Sequence, residues 1–145
     1  MKYLVFSLLA ISLFISSCNN ADTMVGMATI EATIEGQAFK AEVGNVILLE
    51  GTLNMGGVGQ YEAHLQFNEI EEGTFALPST QGLIDVLFLT MEDGTVIGVG
   101  DGTYTVDNLS NSRASGSFQG TFYAIDDFML ANPVEVTNGQ FDASF

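Results

Sequence analysis

The feature that most narrows what this chain can fold into is a strict alternation of apolar and polar residues. From Met27 to Glu35, Ala28, Ile30, Ala32 and Ile34 fall on one face, and Thr29, Glu31, Thr33 and Glu35 fall on the other. Successive side chains of an extended chain point to opposite sides, so a period of two marks a strand with one buried face. The pattern returns repeatedly. Phe39, Ala41 and Val43 continue the inward set after a tight turn read at Gly36-Gln37, with Lys40 and Glu42 outside. Asn45 to Leu53 carries the continuous apolar run Val46-Ile47-Leu48-Leu49, expected of a strand buried on both faces or near a bend. After a glycine-rich connection, Tyr61, Ala63, Leu65 and Phe67 point inward opposite Glu62, His64, Gln66 and Asn68. Thr74 to Leu77 is a short strand ended by Pro78.

The later half is punctuated by turn residues. Asp93-Gly94 between Leu83–Met91 and Thr95–Gly100 predicts a hairpin with both central residues at positive φ. Gly102 to Asp107 and Ala114 to Ile125 read as two further strands. On the second, Phe118, Phe122 and Ala124 share a face with Gly116 and Gly120, which leaves room for close approach by another element. Asp126 to Asn132 reads as a loop whose Phe128, Met129 and Leu130 cap one end of the core. Val134, Val136, Asn138-Gly139, Phe141, Ala143 and Phe145 read as a terminal hairpin. The expectation is an all-β domain over residues 27–145, an antiparallel β-sandwich or partly closed barrel of about nine to eleven short strands.

The first residues follow different rules. Lys2 supplies a positive start, and Tyr3 to Ile15 is an apolar run of roughly 13 residues, inside the ~7–15 of a secretory signal and short of the ~20 of a membrane span. Ser16-Ser17-Cys18 closes it with two small residues and the only cysteine of the chain. The stretch resembles the lipobox of bacterial lipoproteins. That resemblance implies a signal peptide over 1–17, lipidation of Cys18, and a polar tether over 18–26. The expected address is the bacterial cell envelope, anchored in the bilayer, with the outer membrane as first choice and the periplasmic or surface face left open. A single cysteine excludes an intrachain disulfide, so the fold rests on its apolar core.

Charge excludes one class of partner. The chain has three basic residues against 18 acidic ones, a formal charge of −15. Lys2 belongs to the signal, which leaves Lys40 and Arg113. Such a surface repels nucleic acid and anionic headgroups.

Candidate chemistry is sparse. His64 is the only histidine, and the alternation places it on a solvated strand face. Glu71-Glu72 and Asp126-Asp127 are carboxylate pairs, yet glycoside hydrolysis needs two carboxyl groups facing each other about 5–9.5 Å apart, which sequence neighbours do not supply. Both pairs read as solvated turns. Gly98-x-Gly100-Asp101 partly matches calcium-binding glycine-rich repeats, and calcium wants about six to eight oxygens. Asp101, Asp126 and Asp127 are the residues that would hold such an ion; hairpin and bulge turns account for the same glycines. No Gly-x-Ser-x-Gly elbow, phosphate loop or paired-cysteine metal site is present.

Taken in order, the lipobox, Ala32-Thr33-Ile34-Glu35-Gly36, Phe39-Lys40-Ala41, Gly102-Thr103-Tyr104-Thr105-Val106, Ser115-Gly116-Ser117-Phe118 and Val136-Thr137-Asn138-Gly139-Gln140-Phe141 form a succession. It is similar to that of small β-rich lipoproteins of Bacteroidota grouped as a domain of unknown function. The resemblance spans nearly the whole chain after the signal and implies a β fold and an envelope location, with no active site. The functional expectation is a membrane-anchored, non-catalytic β-domain, without a cofactor, that binds or scaffolds a protein or glycan. A glycan or peptide hydrolase using paired carboxylates and a calcium-stabilised adhesion or assembly subunit are the alternatives.

Overall fold

The first hairpin shows how alternation becomes a wall. Strands β1 (Gly26–Ile34) and β2 (Gln37–Leu49) pair antiparallel, with Ile34 opposite Gln37. The two residues between them, Glu35 and Gly36, both hold positive φ, 49° and 83°. That mirror-image turn matches the twist of the strands it joins. The turn therefore sits one residue earlier than the expected Gly36-Gln37. Glu50-Gly51 makes the same turn, at 49° and 82°, between β2 and β3 (Thr52–Met55). The apolar run Val46–Leu49 thus closes β2 and does not continue to Leu53. Only Val46 is fully buried; Ile47 and Leu48 are half-buried, and Leu49 is 40% exposed.

The remaining strands are β4 (Ala63–Phe67), β5 (Gly73–Leu77), β6 (Val86–Thr90), β7 (Val96–Leu109), β8 (Arg113–Ala124) and β9 (Val134–Ser144). The computed structural model describes residues 26–56, 63–77, 86–127 and 129–145. The expected signal and Cys18, most of the tether, Tyr61, Glu62, Pro78, Leu83 and Phe128 lie outside the described residues. Among the described residues every strand pairing is antiparallel. β4 pairs with β6, β7 with β8, and β9 returns to β1. Eight strands thereby close into a barrel, and β5 is the extra one. β6 covers Val96 to Gly98 on one edge of β7, and β5 covers Gly102 to Val106 on the same edge. The all-β expectation holds, in its barrel form.

β7 and β9 each run unbroken where the sequence pattern suggests two strands, because a bulge interrupts alternation as a turn does. β7 runs 14 residues through Gly98-Val99-Gly100-Asp101-Gly102, with register shifts between Val99 and Asp101 and between Val106 and Asn108. β9 is one 11-residue strand, not a hairpin. Asn138, at φ 50°, is the extra residue of a bulge, and its register shift is met by both neighbours, β1 and β8. An inserted residue reverses which parity faces inward, so Val136 is buried before it, and Phe141 and Ala143 after it. The Asp93-Gly94 hairpin is present but built differently. Only Gly94 has positive φ, 86°, and Met91 bonds both Gly94 and Thr95, giving a three-residue loop.

The inward faces fill the barrel. Phe67, Phe122, Phe141, Ile30, Leu65 and Leu89 are among the largest fully buried side chains. Phe67 stacks on Tyr104 with centroids 4.3 Å apart and meets Phe141 at 5.3 Å. The expected close approach on β8 is real. A Cβ at Gly116 would lie 2.7 Å from the Phe141 ring, so the ring occupies the space a side chain would need. Each such Leu, Ile or Phe contributes about 1.5–3 kcal/mol by leaving water.

The strand directions define two ends. Gly26, the Glu50-Gly51 turn, Ser112 and Phe145 lie at the near end, where the chain enters. Glu35-Gly36, the 91–95 turn and the β8–β9 loop lie at the far end. For Met129 and Leu130 the expectation that this loop caps the core is overturned, since they are 85% and 59% exposed; Phe128 lies outside the described residues.

Candidate functional site

Large apolar side chains pack the core, and open grooves lie on the outer wall. An open groove of about 870 Å³ runs over β2, β1, β9 and β8 to Asp107 of β7. Strand register explains its lining. Lys40, Glu31, Gln140 and Ser117 are successive cross-strand partners, and the row continues beyond the groove to Thr105 and to Thr74 on β5. Glu42, Thr29, Asp142 and Ser115 form a second row beside it. Strand spacing sets these outward side chains about 4.8 Å apart along each row. The result is a floor of hydroxyls and the Gln140 amide interspersed with charged side chains.

Both cations of the groove are paired with carboxylates, while Glu42 and Asp107 add negative charge. Lys40 Nζ donates to Glu31 Oε1 at 2.9 Å, and that bond raises the Lys40 pKa. Arg113 Nε donates to Asp142 Oδ1 at 2.9 Å while Nη2 donates to Oδ2, a fork-to-fork pair that raises the arginine pKa further. All four side chains are about half exposed, so these pairs orient groups more than they stabilise the fold. Thr74 and Thr105 hydroxyls meet at 2.9 Å. The arrangement can offer an extended polar ligand alternating donors and acceptors.

A smaller groove of about 430 Å³ lies over β7, β8 and β9, lined by Asp101, Thr103, Gln119, Thr121, Glu135 and Thr137 among others. Asp101 sits there, facing solvent. It is four residues along β7 from Ile97, the partner of Ala124, so about 13 Å of strand separates it from the Asp126-Asp127 end. The three calcium candidates are not brought together, and among the described residues no three His, Cys, Asp or Glu side chains group as a metal site. The glycines of the repeat-like stretch have another use. A Cβ at Gly98 would lie 2.7 Å from the Phe88 ring, and one at Gly100 2.4 Å from the Tyr123 ring, so both glycines are covered by aromatic faces on the outer wall.

His64 is half-buried on β4, beside Phe88 on β6 and close to Gly56, where a solvated position was expected. Burial lowers its pKa, which favours the neutral ring. The carboxylate pairs do not face across a cleft. Glu71 is exposed, and Glu72 Oε1 accepts the Leu109 N–H at 3.0 Å, fastening its loop to the end of β7. Asp126 is exposed. Asp127 accepts N–H bonds from Met129, Ala131 and Asn132 at 3.3, 3.0 and 3.0 Å. Those bonds, that of Asn132 foremost, lower its pKa.

Sequence reasoning placed Glu31 and Lys40 outside but did not pair them. With the turn centred on Glu35-Gly36, they fall opposite each other by counting outward. The turn was offset by one residue, which hid the pair. Arg113 and Asp142 lie on strands joined by a nine-residue loop that hides a bulge beyond it, so no count along the sequence reaches them. No protein-family model, curated protein or solved structure matches this chain.

Proposed function

We propose that this chain is a membrane-anchored extracytoplasmic lipoprotein whose β-barrel binds a polar ligand, protein or glycan, on its outer wall without transforming it. The observation that carries the reading is the pairing of a core packed with large apolar side chains with an open, hydroxyl-lined groove whose two cations are each paired with a carboxylate. Small-molecule barrels use an internal cavity, and an eight-stranded barrel is at the size where side chains alone can fill it. The hydrolase alternative asks for free carboxylates across a cleft. Glu72 and Asp127 are engaged by backbone amides, and Glu31 and Asp142 by cations. The lipobox and the resemblance to small Bacteroidota lipoproteins support the anchor at Cys18 and the envelope address.

A glycan and peptide array tests the binding. The mature chain should retain a subset of glycans or polar peptides, and Ser117→Trp, which fills the groove floor, should abolish retention while leaving the far end untouched. Mass spectrometry of the retained ligands should show them unchanged. Turnover that disappears in Glu31→Gln or Asp142→Asn would make the chain a hydrolase. A chelator-dependent fall in melting temperature would instead favour the calcium-stabilised subunit. For the anchor, the mature protein should begin at an acylated Cys18; an intact Met1 would remove it.

A further inference from the structure

The far end of the barrel exposes apolar side chains that the fold holds in place at a cost. In the β8–β9 loop, Ile125 is 58% exposed, Met129 85% and Leu130 59%. Leu130 also holds φ at +49°, a left-handed conformation that leucine rarely adopts. One side chain fixes this arrangement. The Asp127 carboxylate accepts the N–H groups of Met129, Ala131 and Asn132, while the Asp127 carbonyl accepts that of Leu130 at 3.0 Å. A loop with no task for these residues would let Leu130 relax or be polar. Strain and exposure at one position, maintained by a dedicated clamp, point to recognition. At the start of this loop Ile125 lies beside Phe88 of the wall, because a Cβ at Gly98 would meet both the Phe88 ring and Ile125 Cγ2, the latter at 3.7 Å.

Charge selects the occupant. Glu35, Glu92, Asp93, Asp126 and Glu135 surround this end, and Glu35 N–H bonds the Glu135 carbonyl at 3.1 Å. After Lys2, the sequence has no basic residue except Lys40 and Arg113, and both are paired on the outer wall. An anionic bilayer would be repelled, and so would a second copy presenting the same acidic rim. If the chain is anchored at Cys18 as proposed above, this end also faces away from the anchoring membrane; the charge argument stands without the anchor.

We propose that Met129 and Leu130 form the tip of a docking site for a partner protein that offers an apolar pocket rimmed by Lys or Arg. The site is separate from the groove, which Met27, Arg113 and Ser144 place toward the near end. The test places a photo-reactive benzoylphenylalanine at Met129 of the full chain, in cells that produce it. The expected result is a covalent adduct with one protein, attached at an apolar residue flanked by Lys or Arg. Asp126→Lys with Glu135→Lys should cut its yield about tenfold, since like charges across an interface are strongly unfavourable. Leu130→Gly, assayed with the probe kept at Met129, should lower the yield while leaving the melting temperature equal or higher, because glycine relieves the left-handed position. Adducts only with lipid, only with a second copy, or with no partner would overturn the proposal. So would an adduct indifferent to the charge reversal.

Discussion

The barrel interior and the β8–β9 loop are built on opposite rules. Inside, apolar side chains hold the structure and polar ones face out; Phe67, Phe141 and Tyr104 pack in contact, with Gly116 leaving space for a ring. In the loop, a single carboxylate holds the structure and the apolar side chains face out. The interior contributes stability in proportion to the area it hides, which makes each residue there expensive to lose. The loop contributes little to global stability, because its bonds are local and exposed, yet it sets the position of two side chains closely. Apolar content alone therefore does not reveal which job a residue has. What distinguishes Met129 from Met55, which is fully buried, is the element that carries it.

The contrast can be pressed from its strongest side first. Phe141→Ala should destabilise the protein by about 3–5 kcal/mol in denaturant unfolding, since it empties the space above Gly116 and strips Phe67 of a neighbour. A loss under 1 kcal/mol would mean that the interior is loosely packed and the contrast overstated. Gly36→Ala should cost about 1–2 kcal/mol, because the turn needs positive φ at that position and alanine resists it. An unchanged midpoint would show that the hairpin tolerates another turn.

Smaller effects belong to the loop. Asp127→Ala should leave the unfolding midpoint nearly unchanged and speed amide exchange at Ala131 and Asn132, read by NMR. Global destabilisation comparable to that of Phe141→Ala would erase the distinction between the two regions. Acid should act in the same direction. Hydrogen bonds depress the Asp127 pKa in the folded state, so the clamp is fully present above the ordinary carboxylate value and is lost as pH falls through the depressed one. Loop exchange, corrected for its intrinsic pH dependence, should stay flat from neutral pH to about 4 and rise only in stronger acid. Smallest of all, Lys40→Met should not move the midpoint at physiological salt, because the Lys40–Glu31 pair is open to solvent. A clear drop would make that pair a structural brace as well as part of the groove.

Particular residues show how far the sequence could be read. The inward set Ala28, Ile30, Ala32 and Ile34 is buried as the alternation requires, and so are Ala63, Leu65 and Phe67. Asn138 marks the limit. A reversal of inward parity between Val136 and Phe141 arises equally from a two-residue turn or from a bulge, and the local residues suit both, since asparagine accepts positive φ in either. The same ambiguity split β7 at its glycines. The site was less legible than the fold. Outward positions were identifiable one strand at a time, but the groove exists only where Lys40, Glu31, Gln140 and Ser117 fall into one row across four strands.

By itself the sequence determined that the chain from Met27 onward is all-β, which faces look inward, and that its charge is acidic. These follow from local chemistry: period, turn residues and composition act within a few residues of each other. Tertiary structure alone decided that the wall closes through β9 to β1, which carboxylates are engaged by backbone and which by cations, and that Met129 and Leu130 face solvent. Each of those depends on register between distant segments, and one inserted residue shifts register without altering the pattern on either side of it.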